Sequence, residues 1–234
     1  MPMPDARIFV INLAHRIDRR RETERELQRV GWTATFFPAI LPDAAGGFPS
    51  IGCRGVFLSH LAVLKKARDL PSKTLIILED DLDFSHDFTS QWEGAISALS
   101  SHEWSIFYGG HRLKNLPNGL TLIPPSTGVL TTHFVVVNQS AISPLIKGLE
   151  EMLSRPPGDP KGGPMYIDGA YSTIRAQNPE LTTYAYCPSL GYQRPSRHDI
   201  GEVPWFDRSE SLAPVIGLLR KLKGFILRQV PIDR

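Results

Sequence analysis

Two short apolar runs constrain the fold of this chain more than any other feature of its sequence. IFVINL (8–13) and TLIILED (74–80) are rich in β-branched residues and show no alternation of polar and apolar side chains. Runs of this kind are typical of strands buried on both faces, as in parallel sheets covered by helices. WSIFYGG (104–110) and HFVVVN (133–138) have the same character and predict two more strands.

Helical patterns alternate with these runs. The first helix is predicted from Asp18, which can cap it, to about Val30, with Gly31 as its stop. Further helices are predicted over 56–70 and 141–153, where apolar residues recur at helical spacing. The alternation predicts an α/β fold with a mostly parallel central sheet flanked by helices.

Two segments rich in glycine and proline, 41–55 and 155–164, are predicted to be loops. The second contains four prolines and three glycines. It separates a first part of the chain, which carries the strand and acid motifs, from a smaller second part.

The composition excludes several classes of protein. The 234 residues are 41% hydrophobic and 21% charged, an ordinary globular balance, and the net charge of +2 gives no indication of nucleic-acid binding. The two cysteines, Cys53 and Cys187, are too few for a disulfide framework. No stretch approaches the roughly 18 apolar residues of a membrane span, and the first residues resemble no secretory signal. We expect a cytoplasmic protein.

The run TLIILED leads into a cluster of carboxylates, Glu79, Asp80, Asp81 and Asp83. In open α/β sheets, ligands bind beyond the carboxyl ends of the strands. Asn12 and Arg16 follow the first predicted strand, so if the two strands are neighbours both groups are expected at one edge. Carboxylates bind hard cations and arginines bind phosphate oxygens, so a metal-bound phosphate suits this edge. A solvated acidic loop is the alternative.

Four arginines crowd the start of the first predicted helix, where the helix dipole disfavours cations: Arg16, Arg19, Arg20 and Arg21. Acidic partners such as Glu24, one turn beyond Arg20, would explain them, and so would an anion bound at the helix N-terminus. The sequence leaves both explanations open. It contains neither G-x-G-x-x-G after the first strand nor G-x-x-x-x-G-K-[ST], which disfavours a dinucleotide-binding fold and a P-loop NTPase.

The ordered series VINLAHRIDRR, GCRGVFLSH and LIILEDDLDF resembles the family 25 glycosyltransferases. These include lipopolysaccharide glycosyltransferases and relatives of the collagen galactosyltransferases. The resemblance covers residues 7–88 and resumes weakly at 127–146 and 193–196. It implies a GT-A-like nucleotide-diphospho-sugar transferase fold. It also implies transfer from a UDP-sugar, commonly of galactose, usually with inversion and a divalent metal, Mn²⁺ or Mg²⁺.

Matching positions carry the family's roles over to this chain. The resemblance implies that seven residues lie at the nucleotide-sugar: Asn12, Arg16, Arg20, Ser59, His60, Glu79 and Asp80. It implies that Asp81 holds the metal, with Asp83 as a second possible ligand. Residues 1–110 would form the nucleotide-sugar half of the domain and 111–204 the acceptor half.

An inverting transfer also needs a base for the proton of the acceptor hydroxyl. Asp168, in PMYIDGAY after the second loop, is the candidate, and a helix cap for the following residues is the alternative. His198 could complete the metal site or belong to a surface loop.

The remaining residues, 205–234, form a basic tail. Within it, 211–230 has helical periodicity with apolar residues on one face, and from 215 to 234 five basic residues and one acidic residue give +4. Such a helix is typical of contact with a membrane surface, here the inner face of the cytoplasmic membrane, or of packing on the domain or a second subunit.

Together these features predict a metal-dependent glycosyltransferase acting on a bacterial surface glycan or glycolipid. A catalytically inactive sugar-nucleotide or glycan-binding module and a metal-dependent phosphoesterase are the alternatives.

Overall fold

A computed structural model describes residues 2–3 and 5–194 of the chain. Nine strands and five helices occur in these residues. The strands are β1 (Ala6–Asn12), β2 (Thr35–Pro38), β3 (Thr74–Glu79), β4 (Leu82–Phe84), β5 (Ile106–Tyr108), β6 (Gly119–Ile123), β7 (Phe134–Asn138), β8 (Thr183–Cys187) and β9 (Gly191–Gln193). The helices are α1 (Ile17–Arg29), α2 (Ile51–Arg68), α3 (Phe88–Leu99), α4 (Gln139–Ser154) and α5 (Ile167–Gln177).

Seven strands form one central sheet in the order β2-β1-β3-β7-β5-β8-β6, and β4 pairs with β9 in a separate ribbon. β1 is parallel to β2 and β3, and β5 is parallel to β8, whereas β7 and β6 run antiparallel to their neighbours. Five of the seven strands therefore share one direction. The predicted α/β class and the mostly parallel sheet flanked by helices are confirmed.

Helices cover both faces of the sheet. Alternate residues of β1 point to opposite sides, so Phe9 and Ile11 pack with α2, α4 and α5, while Ile8 and Val10 pack with α1 and α3. On the second side the indole of Trp32 lies 4.9 to 6.0 Å from four aromatic rings, including that of Phe84 in β4. This aromatic cluster packs β4 against the second side of the sheet.

Two predicted helix starts were wrong. α2 begins at Ile51, inside the segment predicted as a loop, because the Ser50 hydroxyl accepts a hydrogen bond from the Cys53 amide at 3.0 Å and caps the helix. In α1 the N-cap is Arg16, and Asp18 lies within the first turn. Asp18 does not cap because its carboxylate binds the Arg16 guanidinium through two hydrogen bonds of 2.8 and 2.9 Å.

The two predicted halves of the domain are interleaved in the sheet. β7, from the half predicted over 111–204, lies between β3 and β5, which belong to the half predicted over 1–110. Their assignment to donor and acceptor stays a prediction. The tail over 205–234, the amphipathic stretch within it and His198 lie outside the described residues. Of the helices from α1 to α5, none has both the length and the apolar character needed to cross a bilayer.

Gly55 is expected to be essential for docking α2 against the chain that leaves β2. A Cβ atom at this position would lie 2.7 Å from the Ile40 carbonyl oxygen, closer than real Cβ atoms come to backbone. We expect Gly55→Ala to lower the free energy of unfolding by about 1–3 kcal/mol, measured by urea denaturation. Gly169→Ala in α5 is the matched control, since its Cβ would meet only Met165 at 3.4 Å. Equal stability of the two variants would contradict this account.

Candidate functional site

Asn12 and the acidic segment meet at one edge of the sheet, as the sequence predicted. β1 and β3 are parallel neighbours, with Ile11 opposite Glu79 in the register. Asn12 is buried, and its side-chain amide donates to Asp80 Oδ2 at 2.7 Å. The carboxyl ends of two adjacent strands thus bring together residues 68 positions apart.

Asp80 anchors α1 to the end of β3. Besides Asn12, the Arg19 guanidinium donates to Asp80 Oδ1 at 2.9 Å, and the Thr23 hydroxyl donates to the Asp80 carbonyl at 2.9 Å. Both carboxylate oxygens are therefore occupied by protein donors. Asp80 thus supports the edge of the sheet, and its place at the nucleotide-sugar stays a prediction.

Glu79 is held from two sides. The Thr132 hydroxyl donates to Glu79 Oε1 at 2.8 Å, and His60 Nε2 lies 3.5 Å from the same oxygen. Burial favours a raised pKa for Glu79, but hydrogen bonding to His60 and the nearby His60 and His133 imidazoles outweigh it and hold the pKa below its ordinary value. Glu79 is therefore a carboxylate under ordinary conditions.

Ser59 and His60 lie on α2, next to the acidic edge. Both side chains are fully buried. The Ser59 hydroxyl accepts from the Ile40 amide at 2.8 Å and donates to the Gly55 carbonyl at 2.7 Å, while His60 Nδ1 lies 3.3 Å from the Tyr171 hydroxyl. Neither side chain reaches the surface, and their place at the nucleotide-sugar stays a prediction. They are placed to support Glu79 and the chain that follows β2.

Arg16 and Arg20 have acidic partners from their own helix. The ion pair with Arg16 lowers the pKa of Asp18 to about 2, and Arg20 binds Glu24 at 2.9 Å while its guanidinium lies 4.4 Å from the ring centre of Phe36. Intrahelical partners thus account for both arginines in this structure. Donor binding by Arg16 and Arg20 stays a prediction.

Asp81 differs from its neighbours in the acidic segment. Its Oδ1 atom is buried and has no hydrogen-bond partner in the part of the chain that the structure describes. Burial and the negative charge of Glu79 raise the pKa of Asp81 to about 7, against the opposing effect of Arg19. Asp83, by contrast, is buried and binds Arg194 through Oδ1 at 2.6 and 2.9 Å.

A divalent cation fits this edge in one specific way. Over residues 2–3 and 5–194, no three His, Cys, Asp or Glu side chains are grouped closely enough to form a metal site by themselves. Mg²⁺ and similar hard cations commonly bind one or two carboxylates and complete their shell with water and substrate phosphates. The unpartnered oxygen of Asp81 suits that kind of site. Asp83, predicted as a second ligand, already has a cation in Arg194.

Asp168 lies in the first turn of α5 and reaches the segment that precedes β7. Its Oδ2 accepts from the Thr131 amide at 3.2 Å, and its Oδ1 accepts from the Gly169 amide at 2.8 Å. Thr131 has φ of +76°, a conformation that a β-branched residue rarely adopts. Since the next residue, Thr132, binds Glu79, Asp168 is connected to the acidic edge by two consecutive residues.

Three residues at this edge were not singled out from the sequence: Arg19, Thr132 and His133. Arg19 stood in the arginine cluster, but nothing local distinguished it from Arg20. His133 is buried and places Nε2 3.1 Å from the Gly191 carbonyl, and burial lowers its pKa. In the sequence, His133 was the first residue of a predicted strand and Thr132 preceded it.

A cavity of about 340 Å³ lies away from these residues. Its lining includes Ser105, Asn138 and Thr182, at the ends of β5, β7 and β8 opposite the carboxylates. The acidic edge and this cavity are therefore separate features of the sheet.

No family model matches the chain. A Glycosyltransferase 25 family member of Drosophila pseudoobscura pseudoobscura is 27% identical over 175 residues, which cover 62% of this chain and 28% of the relative. Procollagen galactosyltransferase 2 of Mus musculus is 23% identical over 164 residues, which cover 57% of this chain and 26% of the relative. The matched regions thus span less than a third of either relative. These relatives confirm the resemblance to family 25 glycosyltransferases.

Two solved structures are similar to this chain at a lower level of sequence identity. A glycosyltransferase involved in glycosylation of the major capsid of PBCV-1 is 12% identical with a TM-score of 0.38, covering 80% of this chain and 96% of its own. The inositol-1-phosphate CTP transferase from T. maritima is 11% identical with a TM-score of 0.36, covering 93% and 78%.

The raised pKa of Asp81 predicts a pH-dependent effect of Asp81→Asn on stability. Between the ordinary pKa of 3.8 and about 7, the folded protein keeps a proton that the unfolded chain has lost. The free energy of unfolding therefore falls as pH rises through this window, and the loss is complete above pH 7. We expect Asp81→Asn to be more stable than the wild type at pH 8 and to lose this advantage near pH 4, in thermal unfolding without metal. Asp87→Asn, at an exposed position, is the control, and a pH-independent difference for Asp81→Asn would contradict the prediction.

Proposed function

We propose that this chain is a metal-dependent glycosyltransferase of GT-A type that transfers a hexose, galactose or a close relative, from a UDP-sugar to a glycan or glycolipid of a bacterial surface. The observation that carries the proposal is Asp81, at the carboxyl edge of a mostly parallel sheet, with a buried oxygen that has no partner within residues 2–3 and 5–194. Relatives that are named glycosyltransferases support the reaction class.

Asp81 is the residue that would hold the cation, Mn²⁺ or Mg²⁺. When bound, such a cation would supply Lewis-acid neutralisation of the charge that develops on the departing diphosphate. Arg19 and Arg194 already neutralise the adjacent Asp80 and Asp83. Among these three aspartates, Asp81 is the one with a buried oxygen that has no partner in the described part of the chain.

Asp168 would take the proton of the acceptor hydroxyl. Its carboxylate is oriented by the Thr131 and Gly169 amides, and each oxygen retains capacity for a further hydrogen bond. A general base placed opposite the leaving group gives inversion at the anomeric carbon. Residues 111–204, which contribute this carboxylate, are proposed to bind the acceptor.

A sugar-nucleotide or glycan-binding module without catalysis is the second candidate. The observation in its favour is the pairing of Asp80 and Asp83 with arginines, which removes two of the carboxylates expected to act at the donor. A module of this kind would bind UDP-sugars and leave them intact.

Metal-dependent turnover separates these candidates. We expect the protein to release UDP from UDP-galactose, UDP-glucose or their N-acetyl forms with Mn²⁺ and to lose this activity on chelation. Asp81→Asn should abolish turnover, and Asp168→Asn should slow it by about 10²–10⁴-fold with UDP affinity unchanged, since a general base acts on the chemical step. Asp87→Asn is the matched control. UDP-sugar binding by calorimetry without turnover would favour the module, and full activity of Asp168→Asn would refute its role as the base.

We also propose that the enzyme works in the cytoplasm at the inner face of the membrane, through the amphipathic segment 211–230. Basic residues near an anionic surface contribute about 1 kcal/mol each, which suits a lipid-linked acceptor. The full chain should sediment with vesicles of anionic lipid at low salt and be released at high salt, whereas a chain ending at residue 210 should stay in the supernatant. Equal sedimentation of both chains would refute the membrane role of this segment.

A further inference from the structure

The acidic segment 79–83 is fixed by an arginine that lies more than a hundred residues away in the chain. Arg194 follows β9 and reaches β4 across the two-stranded ribbon. Its Nε and Nη2 atoms both donate to Asp83 Oδ1, at 2.9 and 2.6 Å, and the side chains of Arg194 and Asp83 are only 14% and 5% exposed. A charge-assisted contact with this little solvent is strongly directional.

The same guanidinium makes two further contacts. Nη1 donates to Glu22 Oε2 of α1 at 2.7 Å, and Nη2 donates to the Leu82 carbonyl at 3.2 Å. The Arg194 backbone amide also donates to the Asp81 carbonyl. Arg194 therefore holds three consecutive residues of the acidic segment, two through backbone oxygens and one through a carboxylate, and ties them to α1.

This geometry requires an arginine. The planar guanidinium presents five N–H donors in a rigid fork, so one side chain can bind Asp83, Glu22 and the Leu82 carbonyl together. The ammonium of lysine keeps the charge but cannot reproduce the fork. Replacement by lysine thus separates the effect of charge from the effect of geometry.

We propose that Arg194 is a positioning residue for the cation site at Asp81, and that it occupies Asp83 in place of a metal ion. By fixing the backbone on both sides of Leu82, Arg194 orients the Asp81 carboxylate toward the edge of the sheet. The pattern Asp81-Leu82-Asp83 then contains one cation-binding carboxylate and one structural carboxylate. This inference rests on the proposed function, and it changes the ligand set expected for that function.

Asp83→Asn tests the structural role of Asp83. Arg194 uses only Oδ1 of Asp83, and asparagine keeps an acceptor oxygen that can take this place. We therefore expect Asp83→Asn to bind Mn²⁺ with an affinity within about twofold of the wild type, measured by electron paramagnetic resonance of free Mn²⁺ with UDP present. Asp81→Asn should lose this binding. A loss for Asp83→Asn as large as that for Asp81→Asn would overturn the proposal.

Arg194→Lys tests positioning. We expect it to weaken Mn²⁺ binding by about tenfold, with a far-ultraviolet circular dichroism spectrum like that of the wild type. Arg155→Lys is the matched control, because Arg155 likewise binds a carboxylate, that of Glu151, together with carbonyl oxygens, but in the loop after α4. A merely structural arginine would lower the melting temperature in both variants without changing Mn²⁺ affinity, and that result would refute the positioning role.

The Mn²⁺ measurement separates this inference from the proposed reaction. Intact Mn²⁺ binding without turnover of any UDP-sugar would count against the transferase, while the affinity of Arg194→Lys would still decide the role of Arg194. Absence of Mn²⁺ binding in the wild type would overturn both.

Discussion

Repulsion among the carboxylates that follow β3 is the constraint on which the rest of this edge depends. Four of them lie within five residues, and each neighbour's charge adds to the cost of burial. The chain meets that cost with polar and cationic groups from distant elements. These are Arg19 of α1 at Asp80, Thr132 with the nearby His60 of α2 at Glu79, and Arg194 after β9 at Asp83. The contacts that stabilise the charge therefore also join α1, α2, β7 and the ribbon to the end of β3.

One carboxylate of this segment, that of Asp81, is not fully compensated by protein groups in the part of the chain that the structure describes. Asp81 keeps a buried oxygen without a partner among the described residues, and its pKa of about 7 reflects burial beside Glu79. A buried carboxylate without a partner is costly, and such groups concentrate at functional sites. This buried, uncompensated oxygen of Asp81 is the observation that favours the proposed cation site over a solvated acidic loop. Under the proposed glycosyltransferase function, a cation bound at Asp81 would neutralise the charge on the departing diphosphate.

The sequence predicted what depends on local pattern and missed what depends on distant partners. The β-branched runs marked β1, β3 and β7 because a strand buried on both faces needs such residues. The start of α2 was missed, since Gly52 and Gly55 suggested a loop while the cap at Ser50 outweighed them. The meeting of Asn12 with the acids was expected on the condition that their strands are neighbours, and the order of the sheet meets this condition. The pairing of Asp83 with Arg194, 111 residues apart, leaves no periodic signal, so the sequence analysis considered Asp83 only as a second possible metal ligand.

For the arginines of α1, the sequence left open whether acidic partners or an anion at the helix N-terminus explain them. The interaction energies decide between these explanations. A cation in the first turn of a helix is disfavoured by the dipole by about 0.3–1 kcal/mol. A hydrogen bond between charged groups contributes about 1.5–3 kcal/mol when it is protected from solvent, as the bond from Arg19 to Asp80 is. One partly buried bond therefore outweighs the dipole, and Arg19 is stable at the helix start without any bound anion. The exposed pair of Arg20 with Glu24 gains less, so among these arginines it is Arg20 that could exchange its partner for a phosphate at the smallest cost.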